Sequence, residues 1–176
     1  MLNTFNFPRY TYSDYKNWKE DWELMDGYPL QLLPSASPKH SKIQARIISQ
    51  SLNSLDRNRD DCNCTVFTKL DWKINENTVV RPDVMIICGD TKEDFLNFPP
   101  VLIIEILSPY NIKTDRVLKF DLYREQGVNY YLMVDCQKEI VESYQLIDNF
   151  YKQVAFSTFK IDKTCTVNFD FSSLWK

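Results

Sequence analysis

The sequence predicts a mixed α/β (α+β) fold in which helices flank a central sheet. Two apolar runs, 101–107 and 129–135, enclose a helical segment, 114–126, that stops at Gly127. A strand–helix–strand unit of this kind implies a right-handed parallel crossover. Apolar residues also recur at helical spacing over 39–55, which adds a long helix with one apolar face. Short turns join the remaining strands, so we expect the sheet to be mixed.

The segment before the crossover begins with a short helix and a hairpin. SDYKNWKEDW predicts the helix, with Ser13 as its cap. WELMDGYPLQLLP predicts the hairpin, because Asp26-Gly27 is a strong turn signal between strand-like residues. A loop is expected at 34–38, before the long helix over 39–55.

Strands dominate the rest of the prediction. CTVFTKLDWKI and TVVRPDVMIIC predict two strands joined by a turn at 75–77, and a loop follows at 94–100. After the crossover, EIVESYQL and FYKQVAF predict a second hairpin, and a short segment lies at 171–175. We find no internal repeat or linker, so the expectation is a single domain over residues 1–176.

The charge and the cysteines restrict the classes of protein to consider. The formal net charge is −3, so any nucleic-acid site must be a local patch. Five cysteines with irregular spacing favour reduced thiols in a cytoplasmic protein, and Cys62 and Cys64 suit neighbouring strand positions better than a zinc knuckle. The sequence shows no apolar run long enough to span a bilayer and no signal-peptide core, so we expect no membrane attachment.

Scarce residue types exclude several kinds of catalytic site. Three widely separated glycines cannot form a P-loop or a GxGxxG turn. The single histidine, His40, excludes histidine-rich zinc sites and the HExxH helix, and no GxSxG elbow supports a serine triad. Carboxylates and lysines remain, and carboxylate oxygens suit a hard metal such as magnesium.

Acidic residues interrupt two apolar strands. Glu105 lies inside VLIIEIL, and Asp83 lies inside VVRPDVMII directly after Pro82. Carboxylates are costly to bury without a partner. A proline in a strand marks an edge, a start or a bulge, where side chains are often re-aimed.

The helix TDRVLKFDLYREQ supplies a cation. A helical wheel places Leu118, Leu122 and Tyr123 on one arc, with Asp115 and Lys119 in its middle. Lys119 therefore points with the apolar residues toward the sheet, where an acid is needed. Two carboxylates that hold a divalent ion, with a lysine beside them, suit phosphodiester hydrolysis.

The order of these motifs resembles a restriction-endonuclease-like family of the PD-(D/E)XK nuclease superfamily. The resemblance rests on RPD, IIEILSP, D-x-x-x-K-x-x-x-Y and GVNYYLMVD, with WELMDG and the segment around His40 matching the family's opening. It covers most of the chain. The lysine expected two residues after the acid would fall at Leu107, so Lys119 is similar to a lysine that has migrated to the next helix.

The resemblance implies a site and a reaction. Asp83 and Glu105 would be catalytic metal ligands, the backbone carbonyl of Ile106 a further ligand, and Lys119 the catalytic base or charge stabiliser. The implied activity is Mg²⁺- or Mn²⁺-dependent endonucleolytic cleavage of DNA, with homodimerisation as a further expectation. The alternative is a module on the same fold that binds nucleic acid or protein without cleaving.

Structural interpretations stay open for each residue. Glu105 and Lys119 are equally consistent with a buried ion pair, and Asp83 with a strand-entry residue. His40 either caps the long helix or lines the cleft. Asp115 either begins its helix or orients Lys119. For the Tyr123 hydroxyl, a hydrogen bond within the core is the simpler interpretation, and a phosphate contact is the alternative. For the basic residues on or after the long helix, a solvated helix face is the simpler interpretation, and contacts with DNA phosphates are the alternative. These basic residues are Lys39, Lys42, Arg46, Arg57 and Arg59.

Overall fold

The computed structural model describes residues 8–32, 37–57, 62–109 and 111–176. Its helices are α1 (Tyr12–Tyr15), α2 (Pro38–Asp56), a π-helical segment (Thr114–Lys119), α3 (Phe120–Glu125) and a C-terminal 3₁₀ helix (Phe171–Trp175). The first six strands are β1 (Trp22–Met25), β2 (Tyr28–Gln31), β3 (Cys64–Phe67), β4 (Trp72–Asn75), β5 (Thr78–Val80) and β6 (Val84–Cys88). The other six are β7 (Leu102–Leu107), β8 (Tyr130–Asp135), β9 (Ile140–Ile147), β10 (Phe150–Val154), β11 (Thr158–Lys160) and β12 (Thr166–Asn168).

Three sheets organise these strands. The largest has six strands in the order β10-β9-β8-β7-β6-β3, the second has the order β2-β1-β5-β4, and β11 pairs with β12. Within the large sheet β7 and β8 are parallel and the other neighbours are antiparallel. The predicted parallel crossover and mixed sheet are therefore confirmed.

Alternation along the central strands creates two cores. The side chains of Leu102, Ile104 and Ile106 belong to one apolar cluster, which α2 and the β11–β12 hairpin cover. On the opposite face, Ile103 and Leu107 belong to a second cluster. This cluster includes Tyr123 of α3 and Trp72 of the four-stranded sheet. Glu105 shares the face of Ile103 and Leu107, so it points toward α3.

Both predicted hairpins form. Asp26 and Gly27 have positive φ angles of 50° and 80° between β1 and β2, as a type I′ turn requires. The β9–β10 turn at Asp148-Asn149 likewise has two positive φ angles. The predicted loop at 34–38 falls mostly outside the described residues, and Pro38 is the first residue of α2.

Several element boundaries differ from the prediction. The first helix is a single turn capped by Thr11 rather than Ser13, and a capping box with Asp14 fixes its start. The two long strands predicted over 64–88 are four short ones, because the chain leaves the large sheet after Phe67 and returns at Val84. The β11–β12 hairpin was not predicted.

The helix after β7 differs in its hydrogen bonding. Its first part, Thr114–Lys119, is π-helical, and α3 continues from Phe120. The wider turn changes the angle between successive side chains. Leu118, expected on the buried arc, is 48% exposed, whereas Asp115 and Lys119 are buried as expected.

The prediction of reduced structural thiols is wrong for four of the five cysteines. Disulfides join Cys62 to Cys165 and Cys64 to Cys88, and Cys136 is a buried free thiol. The partners are 103 and 24 residues apart, so the folded sheet rather than local spacing brings them together.

Among the described residues no helix is long and apolar enough to cross a membrane.

Candidate active site

Buried acids surround one lysine at the edge of a cavity of about 480 Å³. The cavity lies where β1, β6, β7 and the π-helical segment meet. Its lining includes Glu23, Asp83, Glu105, Asp115 and Lys119. The structure therefore brings together the three residues that were predicted to be catalytic, and it adds two acids to them.

Antiparallel pairing places Asp83 opposite Glu105. Val84 and Ile104 are cross-strand partners, so the residues next to them, Asp83 and Glu105, share one face of the sheet. The Asp83 backbone N–H donates to Glu105 Oε2 over 3.3 Å. Asp83 Oδ2 in turn accepts the Ile106 backbone N–H over 2.8 Å. These contacts hold both carboxylates where the strands meet.

Ile106 contributes its backbone at this point. Its N–H holds the Asp83 carboxylate, while its side chain packs into the core on the other face of the sheet.

Lys119 lies at the centre of the acids. Its Nζ is 2.8 Å from Glu23 Oε1, 3.0 Å from Glu105 Oε1 and 3.4 Å from Asp115 Oδ1. The lysine is 2% exposed, and Glu23, Glu105 and Asp115 are all buried. The prediction that Lys119 points to the sheet and meets Glu105 is therefore correct in its geometry.

The helix presents three polar groups to this cluster at intervals of four residues. Asp115, Lys119 and Tyr123 are all buried on one side. The Tyr123 hydroxyl donates to Glu105 Oε1 over 2.8 Å. The Tyr131 hydroxyl donates to the backbone carbonyl of Asp115 over 3.0 Å, which ties the π-helical segment to β8.

Glu23 was missed by the sequence analysis. It lies in the middle of β1, where Oε1 accepts the Arg81 backbone N–H over 2.7 Å as well as the contact from Lys119. The signal was available, because Glu23 interrupts Trp22 and Leu24 as Glu105 interrupts its own strand. The short strand and the adjacent Asp26-Gly27 turn by themselves predict only a hairpin.

Burial and mutual repulsion perturb the acids. Burial raises the pKa of Glu105 well above its ordinary value; Lys119 opposes this shift, and Asp115 and Asp83 add to it. Burial likewise raises the pKa of Asp115 to about 7 against the pull of Lys119. For Lys119, burial alone would lower the pKa, but Glu105 and Glu23 together raise it well above its ordinary value. The lysine is charged at neutral pH and the acids around it compete for protons.

Asp115 should make the metal-free protein less stable as the pH rises. Between pH 3.8 and about 7 the folded state keeps a proton that the unfolded chain has lost, so the free energy of unfolding falls with pH. Asp115→Asn removes this contribution. In thermal melts with a chelator, the melting temperature of the variant should fall less than that of the wild type over this range. Parallel curves would contradict the burial of an ionisable Asp115.

His40 lies beside Asp83 and also at the start of α2. Its backbone N–H donates to the N-cap Ser37, and its ring Nε2 is 3.4 Å from Asp83 Oδ2. Ser37 and not His40 caps α2, so the expectation that His40 caps the helix is wrong, whereas its expected place in the cleft is met. Neither ring nitrogen has a hydrogen-bond partner within the described part of the chain.

The basic residues of α2 are largely engaged elsewhere. Lys39 pairs with Glu139 at 3.0 Å, and Arg46 donates to the Leu174 carbonyl over 2.8 Å. Lys42 is exposed and Arg57 caps the helix, whereas Arg59 lies outside the described residues. The described helix therefore does not present the full basic face that its sequence offered.

The donor set fits a hard divalent cation. Carboxylate oxygens are the ligands that such ions prefer. Asp115 is fully buried, and neither of its oxygens has a hydrogen-bond partner within the described ranges, apart from the ion pair with Lys119. Asp83 is 23% exposed at its side chain, so one acid of the cluster is open to the cavity. When these acids are ionised, one lysine cannot balance their negative charge, and a cation added here would offset the excess.

Comparisons with known proteins agree with this architecture. A protein of Synechocystis sp. described as uncharacterized is 28% identical over an alignment of 150 positions, which covers 81% of this chain and 77% of that protein. A crystal structure from Anabaena variabilis, described as a "putative nuclease belonging to DUF820", superposes with a TM-score of 0.74. The match covers 94% of this chain and 97% of that one at 17% identity, so it supports the fold.

The family assignment rests on a match that spans almost the whole chain. The sequence model of the Uma2 family, described as "Putative restriction endonuclease", matches residues 9–168. The β1–β2, β9–β10 and β11–β12 hairpins, the crossover and the five residues of the acid–lysine cluster fall within this range. This chain belongs to the Uma2 family, within the restriction-endonuclease-like superfamily.

Proposed function

We propose that this protein is a divalent-metal-dependent nuclease that hydrolyses phosphodiester bonds in DNA. One observation carries the proposal: three carboxylates converge on a single lysine, and a fourth, that of Asp83, lines the same cavity, which reaches solvent. A fold stabilised by a simple ion pair needs one acid for one base. The surplus of buried acids is costly without a further cation, which favours a site that holds metal.

Asp83 and Glu105 are the residues that would hold Mg²⁺ or Mn²⁺, with the Ile106 carbonyl as a further oxygen ligand. They are hydrogen-bonded across adjacent strands, and Asp83 faces the cavity. When bound, such an ion would polarise a phosphate and lower the pKa of a coordinated water.

Lys119 would stabilise negative charge on the phosphate and would not bind the metal. Its ammonium is fixed by Glu23, Glu105 and Asp115, which orients it without conformational freedom. A preorganised cation of this kind stabilises negative charge that develops on the phosphate and can orient the attacking water. Glu23 and Asp115 are positioning residues in this scheme, and Tyr123 fixes Glu105 from the other side.

His40 has a separate place in the proposal. Its ring is within 3.4 Å of Asp83 and faces the cavity. We place it as a supporting group that orients the Asp83 carboxylate, and not as the general base.

The proposed partner is DNA, and the proposed assembly is a homodimer in the cytoplasm. A dimer would supply two equivalent sites for the two strands of a duplex. Light scattering on the purified protein measures the assembly: a dimeric mass supports this arrangement, and a monomer at all concentrations contradicts it.

A cleavage assay tests the proposed reaction. Supercoiled plasmid and single-stranded DNA are incubated with the full chain and Mg²⁺, Mn²⁺ or a chelator. Nicked or linear product that requires the metal supports the nuclease. Tight DNA binding with no cleavage under any of these conditions would favour the alternative, a binding module that keeps the fold.

Metal affinity should increase with pH. Burial raises the pKa values of Glu105 and Asp115, and their protons must leave before the cluster can accept a cation. Calorimetric titration with Mn²⁺ at pH values below and above about 7 should therefore show tighter binding at the higher pH. Affinity that is independent of pH, or unchanged in Asp83→Asn, would contradict a carboxylate site.

A further inference from the structure

Four cysteines from three distant parts of the chain meet at one edge of the large sheet. Cys64 begins the edge strand β3 and is the direct cross-strand partner of Cys88, the last residue of β6. Cys62 lies two residues before Cys64. Cys165 lies just before β12, in the turn of the β11–β12 hairpin, and is fully buried. All four sulfurs pack at the margin of the core beneath α2.

The sulfurs form one cluster and not two separate pairs. Cys64 Sγ is 3.8 Å from Cys165 Sγ, although these cysteines belong to different disulfides. The sulfurs of Cys62, Cys64 and Cys165 all lie within 4.8 Å of one another, and Cys88 is joined to Cys64. Two independent disulfides would not need this proximity.

The spacing suits a tetrahedral thiolate site. A Zn–S bond of about 2.3 Å gives a tetrahedron with an S···S edge of about 3.8 Å. The observed Cys64–Cys165 separation has this length before any rearrangement. Reduction releases the two bonded pairs, after which side-chain rotation of Cys88, which is joined to Cys64 in the oxidised chain, must bring its sulfur to the other three.

We propose that the reduced chain binds one Zn²⁺ through Cys62, Cys64, Cys88 and Cys165. Each disulfide first takes two electrons and two protons from a thiol reductant, which is itself oxidised to a disulfide. The four resulting thiols then release four protons to solvent as the thiolates bind the metal. The oxidised chain, with its two disulfides, offers no thiolate to this site, and neutral disulfide sulfurs are poor zinc ligands.

The role of this site is structural. With four cysteine ligands it has no open position for a substrate. Cys88 ends β6 and Asp83 directly precedes this strand, which separates them by about 16 Å at ~3.3 Å per residue, so the cluster is separate from the acid–lysine cavity. The metal would join the edge strand β3 to the β11–β12 hairpin. Cys62, which lies just before β3, and Cys165 of the hairpin are 103 residues apart in sequence. Soft thiolates select zinc here, whereas the carboxylates select a hard ion.

Cobalt substitution tests the proposal on the full chain. The reduced protein, titrated anaerobically with Co²⁺, should show thiolate-to-cobalt charge-transfer absorption that saturates at one equivalent and is bleached by Zn²⁺. Cys136→Ser is the matched control, because it removes the remaining cysteine and should leave the band unchanged. Asp83→Asn should also retain it, while Cys165→Ser, with three thiolates left, should give a weaker band and bind Co²⁺ less tightly. No band in the reduced wild type, or equal loss in Cys136→Ser and Cys165→Ser, would overturn the proposal.

A measurement on the wild type alone covers the case in which Cys165→Ser does not fold. Zinc added to the reduced chain should protect Cys62, Cys64, Cys88 and Cys165 together from an alkylating reagent, as read by peptide mass spectrometry. Alkylation of these four cysteines at the same rate with and without zinc would show that the cluster forms disulfides only.

Discussion

Glu105→Gln is expected to reduce metal-dependent DNA cleavage to background while the fold is kept. The amide has nearly the same shape as the carboxylate but carries no charge and is a poor ligand for Mg²⁺. Lys119 keeps its contacts with Glu23 and Asp115, so the substitution does not leave a buried charge alone. The loss should therefore appear in activity and metal affinity, with a smaller effect on the melting temperature.

The measurement compares initial rates of plasmid cleavage with a matched control. Glu125→Gln removes an exposed carboxylate from the end of α3 and should cleave like the wild type. Wild-type cleavage by purified Glu105→Gln would place the chemistry elsewhere in the molecule or in a contaminant.

Lys119→Met should damage both catalysis and stability. Loss of one preorganised electrostatic donor typically slows the chemical step by ~10²–10³. Removal of one member of a buried charge cluster also costs about 3–5 kcal/mol, because Glu23, Glu105 and Asp115 lose their shared partner. The destabilisation should be greater at high pH, where these acids must carry charge, and smaller at low pH, where they can be protonated.

Single-turnover cleavage and chemical denaturation at two pH values separate the two effects. Lys113→Met, an exposed lysine that precedes the same π-helical segment, is the control and should change neither quantity greatly. Lys119→Arg should recover only part of the rate, since a planar guanidinium does not replace a compact ammonium. A wild-type rate in Lys119→Met at saturating metal would remove the lysine from the chemistry.

Local signals predicted much of the fold. The Asp26-Gly27 turn, the uninterrupted apolar runs of β7 and β8, and the periodicity of α2 each depend on neighbouring residues, and each element formed where it was expected. Glu105 was recognisable because an acid inside a buried strand has few explanations. Its meeting with Lys119 followed from the helical wheel, and the structure brings the two within 3.0 Å.

Features that depend on distant parts of the chain were not predictable in this way. The local sequence marks Glu23 as an acid within a strand, but its contact with Lys119 depends on where β1 lies relative to the helix, which no local pattern reveals. The π-helical turn exposes Leu118, although a regular wheel buries it. Cys62 and Cys165 are 103 residues apart, so their proximity depends on how the C-terminal hairpin docks against α2 and the edge strand.

The most direct test of the central claim is an anomalous difference map of a crystal grown or soaked with Mn²⁺ at a pH above about 7. We predict a peak between the carboxylates of Asp83 and Glu105, within bonding distance of both, with Lys119 beside it and not bound to it. A peak only at another place in the chain, or no peak here in protein that cleaves DNA, would contradict a carboxylate metal site in this cavity.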